Sequence, residues 1–243
     1  MNNFTGGINK QYNKVEYYFQ LSRTNDSLVK ANEVLYNKLR SNYNLPDSAN
    51  KIIIDSVKVD TLMRYRKFNY LSAKIISNST TSQSNFIVVY GPNVKNFVRG
   101  MGVVGINNDV VGIVTETDGD YAVVMSLLHK DSHLSGKLFK GGETGTLSWD
   151  GKQPNIITLS NVAGSAKVVK GDSIITSGLT TTFPKGIMFG KVIEVKSETG
   201  KNNFRITFKT AADFYNIEYV YAIQNIDDIA VKKILVKAAT TSN

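Results

Sequence analysis

The chain has 243 residues, enough for one large or two small domains, and 42% of them are hydrophobic, enough for packed cores. It contains no cysteine, which excludes disulfide frameworks and thiolate metal sites. The net charge of +9 comes from scattered residues whose tightest clusters, at 64–67 and 232–233, fall in no recognisable binding motif. We therefore expect no nucleic-acid partner.

Residues 14–42 contain neither glycine nor proline and predict a long helix. Leucines recur every seven residues at 21, 28 and 35, a spacing typical of a two-stranded coiled coil. A helix docked on its own domain is the alternative, with Val15, Val29 and Tyr36 widening the apolar face, and the sequence leaves both open. The candidate dimerisation seam consists of Tyr18, Leu21, Asn25, Leu28, Asn32, Leu35 and Leu39.

Pro46 ends the helical region, and the chain beyond it carries short apolar runs separated by turns. We predict strands at 52–59, 70–76, 86–90, 101–106, 110–117, 121–127, 145–149, 156–159, 173–176, 187–195, 204–208 and 218–224. So many short strands without helices between them predict a mainly β protein with two small antiparallel β-barrels after the helix. The expected division is helix 1–45, first barrel 46–128, second barrel 129–225 and tail 226–243, with the continuity of each barrel left open.

One turn-and-strand pattern occurs twice, around Gly100 to Gly112 and again around Gly186 to Gly190. Each copy has a basic residue, a turn glycine, apolar residues and a second glycine within or before a strand, which suggests two related β-units. The residues that we expect to shape turns and close strand contacts are Gly100, Gly112, Gly171, Asp172, Gly178, Pro184, Gly186 and Gly190.

Four pieces of sequence carry a resemblance to a known family. They are Arg-Gly-Met at 99–101 with Val-Gly-Ile-Val at 111–114, Lys-Gly-Asp at 170–172 running into 176–178, Phe-Pro-Lys-Gly at 183–186 with 190–192, and Ala-Asp-Phe at 212–214 leading to 219–223. In this order they resemble the MreC family of bacterial rod-shape-determining proteins, over roughly residues 51–224.

The resemblance implies a non-enzymatic scaffold of the cell-elongation complex, which organises peptidoglycan synthesis through protein contacts. It favours the dimeric coiled coil over the docked helix. The implied partners are a second copy of the chain, MreD, MreB and a class B penicillin-binding transpeptidase. No apolar run reaches the roughly 20 residues of a membrane-spanning helix, and residues 1–10 are too polar for a signal peptide. Alone, this indicates a soluble protein, but the resemblance implies a fragment from the periplasmic side of the inner membrane whose single-pass anchor is missing.

An enzyme is the alternative from another class. Gly171-Asp172-Ser173 is similar to the nucleophile turn of trypsin-like proteases, which are also double β-barrels, and this similarity predicts a serine hydrolase that uses Ser173. The two histidines, His129 and His133, come too late in the chain for the base of that family. They also form only a weak metal pattern with Asp131, so we expect no catalytic residue, metal or cofactor.

Two further patterns have simple explanations. Residues 100–105 match the dinucleotide-binding pattern, but a β-branched run follows where that chemistry needs a helix. Large aromatic residues at loop ends can contact partners or plug a barrel, and Phe139, Trp149 and Phe183 are the candidates for partner contact.

Overall fold

The computed structural model describes residues 2–39, 42–44, 56–59, 62–198 and 202–226, with side chains from residue 20 onward except at 43–44, 56–59 and 62–66. One helix, α1 (Asn2–Lys38), precedes the strands. The predicted helix start at 14 and end at 42 therefore differ from the observed bounds. The predicted boundary at 46, most of the tail and the side chains of Val15 and Tyr18 lie outside the described parts.

Fifteen strands follow α1 within the described residues. They are β1 (Tyr43–Asn44), β2 (Ser56–Val59), β3 (Leu62–Arg66), β4 (Phe68–Asn78), β5 (Phe86–Tyr90), β6 (Gly102–Gly105), β7 (Val110–Asp118), β8 (Tyr121–Ser126), β9 (Ser135–Leu138), β10 (Thr144–Ser148), β11 (Ile156–Ala163), β12 (Ser173–Thr176), β13 (Met188–Ser197), β14 (Asn203–Thr210) and β15 (Tyr219–Asn225). A short 3-10 helix spans Val94–Asn96. The mainly β class is confirmed.

The first barrel is closed by six antiparallel strands in the order β15-β4-β5-β8-β7-β6. β15 pairs with β4 and β6, so the final strand of the described chain belongs here and not to the second barrel, where the sequence division placed it. Its first five residues are all buried. Local sequence cannot assign such a strand, because an apolar run fits the core of either barrel equally well.

The second barrel contains the six strands β10-β11-β14-β13-β12-β9 and is continuous in sequence. The prediction missed β9, whose Ser-Gly-Lys-Leu sequence lacks a strand pattern. A Cβ added at Gly136 would lie 2.9 Å from a methyl carbon of Leu147, so this strand crosses the core where little space remains. A separate small sheet, β1-β3-β2, precedes both barrels, and it includes part of the strand predicted at 52–59.

The two barrels share a construction around the repeated glycine pattern. Gly112 in β7 and Gly190 in β13 each lie two residues before an irregularity in strand register. An added Cβ would be 2.2 Å from Met125 O at Gly112 and 2.0 Å from Lys209 O at Gly190, which only glycine permits. In both barrels a glycine therefore lets the neighbouring strand approach just before a bulge, as the repeat in sequence suggested.

Candidate protein-contact surfaces

One side of α1 is fixed to the first barrel by aromatic contacts. Val29 is buried, and its carbonyl oxygen accepts a hydrogen bond of 3.0 Å from the Tyr221 hydroxyl. The Tyr36 ring stacks on Tyr70 and meets Tyr221 edge-on, with centroid distances of 5.3 Å in both pairs. The Tyr36 hydroxyl donates to the carbonyl of Ile106 at 2.7 Å. These contacts hold the second half of α1 against β4 and β15.

Hydrogen bonds reinforce this attachment. The Asn37 side chain donates to Tyr70 O and accepts from Tyr70 N–H, at 3.0 and 2.7 Å. A Glu33 carboxylate oxygen accepts from the backbone N–H of Ser72 at 3.2 Å and also from its hydroxyl. Burial, with the nearby Tyr36 and Glu33, raises the pKa of Tyr221 to about 12, and burial likewise raises the pKa of Tyr70. Both phenols therefore remain neutral at physiological pH, and that of Tyr221 remains a hydrogen-bond donor.

The edge of α1 next to this docked side carries the leucines of the predicted seam. Asn25 and Asn32 are half-buried, whereas the seam leucines are largely exposed. The helix thus docks on its own domain through Val29 and Tyr36, as the alternative interpretation had it, while the heptad leucines remain available to a partner. The exposed side chains on this edge are Leu21 (54%), Leu28 (57%), Leu35 (61%) and Leu39 (43%), which we call the leucine edge.

A second apolar surface lies on the outside of the first barrel, where β5 and β8 pair. The outward residues of β5 face apolar partners on β8 at three successive positions. This surface was not predicted from the sequence. Its signal is visible there all the same, since β5 is apolar at every position and not only at alternate ones. The pairs are Phe86 with Met125, Val88 with Val123, and Tyr90 with Tyr121, and we call them the tyrosine face.

The tyrosine face is open to solvent at its edges. Tyr90 and Tyr121 are 43% and 51% exposed, with ring centroids 5.1 Å apart. Exposed acidic residues border it on β7, since Glu116 pairs with Val123 and Asp118 with Tyr121. A contiguous exposed apolar patch with a polar rim is typical of a protein-interaction site.

Of the three aromatic residues predicted to contact partners, the structure exposes one. Phe139 is 67% exposed. Trp149 is buried, and its Nε1–H donates to Gln153 O at 2.9 Å. Phe183 is buried where the second barrel meets the first, against Gly102 of β6. The prediction of partner contact is therefore wrong for Trp149 and Phe183, because the fold uses both rings in its own packing.

The predicted turn residues occupy turns or close contacts. Positive φ angles, between 72° and 97°, occur at Gly100, Gly171, Gly178 and Gly186. Pro184 O accepts a hydrogen bond from the Thr176 hydroxyl at 2.6 Å. The Asp172 carboxylate accepts the Val169 N–H at 2.9 Å and pairs with Lys140 at 2.6 Å, and these bonds hold its pKa below the ordinary value.

The enzyme alternative gains no support from the geometry. Within the described residues, Ser173 makes no hydrogen bond to a histidine, and the His129 Nδ1 accepts the Asp131 N–H at 3.0 Å. The His129 ring packs against Phe86 of the first barrel, with centroids 4.9 Å apart. The dinucleotide-like stretch at 100–105 leads into a turn and then β7, and not into a helix.

The described part of the chain contains neither a cluster that could hold a metal ion nor a helix that could cross a membrane. No group of three histidine, cysteine or carboxylate residues there is placed to hold a metal ion. The described helix is not apolar enough along its length to cross a membrane.

Comparison with known proteins identifies the family. Residues 75–224, more than half of the chain, match the family profile described as "Rod shape-determining protein MreC, barrel core". The chain belongs to the MreC family. The cell shape-determining protein MreC of Listeria monocytogenes is 24% identical over 163 residues, which cover 65% of this chain and 55% of that protein. The chain thus spans about half the length of this MreC relative.

Solved MreC structures share the fold. MreC of Listeria monocytogenes has a TM-score of 0.58 at 22% identity, covering 89% of this chain and 94% of that one. MreC of Pseudomonas aeruginosa has a TM-score of 0.57 at 22% identity, covering 63% and 98%. A complex between penicillin-binding protein PBP2 and MreC from Helicobacter pylori has a TM-score of 0.52 at 19% identity, covering 66% and 99%. These neighbours confirm the helix with two β-barrels as an MreC architecture.

Proposed function

We propose that this chain is a non-enzymatic scaffold of the bacterial cell-elongation complex, which pairs with a second copy of itself and organises peptidoglycan synthesis through protein contacts. The observation that carries the proposal is the division of α1 into two sides. One side is fixed to the first barrel through Val29 and Tyr36, while the leucine edge stays exposed. A helix held in this way can pair with another helix without losing its barrel.

Self-association is tested by Leu28→Ala. If the leucine edge is buried between two helices, this change weakens the dimer by about 2–5 kcal/mol, since it removes a large apolar side chain from a packed seam. Sedimentation equilibrium gives the dimerisation constant. The control is Val34→Ala, because Val34 is 51% exposed on the same helix but lies off the leucine edge. An unchanged constant for Leu28→Ala, or equal losses in both variants, would contradict the dimer.

The external partners follow from the family. The complex of PBP2 with MreC from Helicobacter pylori supports a class B penicillin-binding transpeptidase as partner, and membership of the MreC family supports MreD and MreB as further partners. The scaffold would then lie on the periplasmic side of the inner membrane, joined to it by a single-pass anchor. A neighbour described as the major periplasmic domain of MreC supports that location.

We assign the transpeptidase contact to the tyrosine face, because it combines paired exposed aromatic rings with a polar rim. Tyr121→Asp places a charge on the most exposed pair of this surface and should weaken binding of the cognate transpeptidase at least about tenfold, as measured by surface plasmon resonance. Tyr215→Asp is the control, since Tyr215 is 62% exposed on the connection between β14 and β15. If both variants bind alike, the tyrosine face is not the contact.

A further inference from the structure

The two barrels carry opposite net charges. The second barrel with its connections, residues 135–210, contains eleven basic and five acidic side chains. The first barrel, residues 68–126 and 211–225, contains three basic and six acidic ones. The fold therefore separates charges that are scattered along the sequence. A basic domain attracts anionic surfaces over about 10 Å at ordinary salt concentrations, so the second barrel is the part of the molecule to search for an anionic partner.

One end of the second barrel lies away from the first barrel. The loop after β12 reaches the first barrel through Phe183, which packs against Gly102. The other end of β12 lies beside the end of β9, since these antiparallel strands pair Ile174 with Leu138. The two loops at that other end are 139–143 and 164–172, and we call them the distal end.

The two loops of the distal end are both bonded to the start of β12. The Asp172 carboxylate accepts the Val169 N–H at 2.9 Å and pairs with the Lys140 ammonium group at 2.6 Å. The Phe139 N–H donates to Ser173 O at 3.0 Å. Phe139 and Val169 therefore lie on adjacent loops whose positions the fold itself fixes.

The distal end exposes apolar side chains among lysines. Phe139 is 67% exposed and Val169 is 61% exposed. Lys167 and Lys170 are exposed on the same loop as Val169, and neither forms an ion pair among the residues that the structure describes. An anionic bilayer matches both properties, because aromatic and aliphatic side chains can enter its headgroup region while ammonium groups meet the lipid phosphates.

A soluble polyanion and an acidic protein are the other classes of partner that a basic surface can bind. A polyanion would pair with the lysines, but it offers no apolar phase to Phe139 and Val169. An acidic protein would have to provide a separate pocket for each of these side chains, whereas a bilayer receives both without matching their shapes. The observed combination of side chains therefore favours the bilayer.

We propose that the distal end docks on a bilayer of anionic phospholipid, with Phe139 and Val169 in the headgroup region and with Lys167 and Lys170 beside the lipid phosphates. The second barrel then lies against the membrane, at the end opposite to its contact with the acidic first barrel. This inference goes beyond the proposed scaffold function and does not depend on the transpeptidase contact.

Vesicle cosedimentation of the full chain measures the affinity for lipid. Vesicles of phosphatidylglycerol and phosphatidylcholine in equal amounts should bind the chain at least about tenfold more tightly than vesicles of phosphatidylcholine alone, and added salt should weaken this binding. Equal affinity for the two kinds of vesicle would overturn the proposal, because the lysines would then contribute nothing.

Charge reversal tests whether the distal end makes the contact. Lys167→Glu with Lys170→Glu should weaken binding to the anionic vesicles at least about tenfold. The matched control is Lys95→Glu with Lys130→Glu, which changes the net charge equally at two exposed lysines outside the second barrel. Equal losses in the two double variants would contradict docking through the distal end, since they would reflect net charge alone.

Phe139→Trp distinguishes a bilayer from the other two partners. Trp149 is the only tryptophan of the chain and is buried, so this change adds one exposed fluorophore. On the anionic vesicles its emission should shift to shorter wavelength, and brominated lipid should quench it. The control is Tyr215→Trp, at an exposed position of the first barrel, which should show neither change. An emission that ignores brominated lipid, or that shifts equally with dextran sulfate, would overturn the bilayer and leave an acidic polymer or protein as the partner of the lysines.

Discussion

The first barrel takes its last strand from the far end of the described chain, whereas the second barrel is closed by strands that follow one another without interruption. The chain runs through β4 to β8, builds the whole second barrel, and only then returns with β15 to fill the gap between β4 and β6. The second barrel is therefore an insertion into the first, and the two are expected to differ in what each needs in order to fold.

The first barrel also carries α1, which packs on β4 and β15 through Tyr70 and Tyr221. The second barrel has no helix packed over it in the described part of the chain. The strand that closes the first barrel, β15, is therefore also one of the two strands on which α1 packs. The first barrel is therefore the part of the molecule that holds α1, while the second is closed entirely by six strands that are consecutive in sequence.

Removing β15 is the change with the largest expected effect. A chain that ends after Ile217 leaves β4 and β6 as open edges and deprives α1 of Tyr221, so the first barrel should lose its closed fold. Hydrogen exchange should then show unprotected amides in β5 and β8 and protected amides in β11 and β14. A chain that ends after Ile226 is the control and should protect both sets. Protection of β5 and β8 in the shorter chain would refute the dependence on β15.

The sequence predicts those features of the fold that depend on neighbouring residues, but not those that depend on pairing between distant strands. Alternation and turn residues are local, so the strands at 86–90, 110–117 and 173–176 were predicted nearly as observed. The partner of β15 is set by pairing with β4, about 150 residues earlier, and no local pattern encodes it. β9 was missed for a different reason, since a strand containing Gly136 and Lys137 has no apolar alternation to detect.

The candidate contact surfaces also differ in whether a local sequence pattern reveals them. The seven-residue spacing of the leucines is visible in the sequence, and their role as a dimerisation seam stays a prediction. The docking that buries Val29 was left open as the alternative, because spacing alone does not distinguish a partner helix from the chain's own barrel. Trp149 and Phe183 were misassigned, because a large aromatic residue at a loop end looks the same in sequence whether it faces solvent or plugs a barrel. The tyrosine face needs the pairing of β5 with β8, which only the structure provides.

The matching glycines allow each barrel to be weakened separately, with an effect smaller than loss of a strand. Gly112→Ala and Gly190→Ala would each press a methyl group against a backbone oxygen of the adjacent strand, at 2.2 and 2.0 Å. We expect each to cost about 3 kcal/mol, because a strand has to move to relieve the overlap. Gly171→Ala is the control at about 1 kcal/mol, since its added Cβ meets nothing within 4 Å and only its φ of 92° is unfavourable.

Urea unfolding, monitored by hydrogen exchange, shows which barrel each variant destabilises. Gly112→Ala should lower protection in β7 and β8 and spare β13 and β14, whereas Gly190→Ala should do the reverse. If either variant lowers protection equally in both barrels, then the barrels unfold as one cooperative unit and the inserted barrel is not independent.

Acid should affect the two barrels in opposite directions, and this is the smallest of the three effects. In the second barrel, hydrogen bonds from Lys140 and from Val169 N–H hold the pKa of Asp172 below its ordinary value of 3.8. In the first barrel, burial raises the pKa of Asp109 above that value, although backbone N–H groups of Asp109 and Gly105 oppose the rise. Both carboxyl groups lie in turns beside a barrel strand, so they form a comparable pair.

The sign follows from which state binds more protons. Unfolding raises the proton affinity of Asp172, so its contribution to the stability of the second barrel is full above pH 4 and is lost as the pH falls below that. Unfolding lowers the proton affinity of Asp109, so the first barrel gains stability as the pH falls through the raised pKa toward 3.8. Residue-resolved urea unfolding at pH 6 and pH 3 should therefore show protection lost first in β12 and β13. Asp172→Asn should remove that acid sensitivity, because an amide cannot be protonated in this range. An unchanged sensitivity in this variant would mean that other carboxylates determine the acid response of the second barrel.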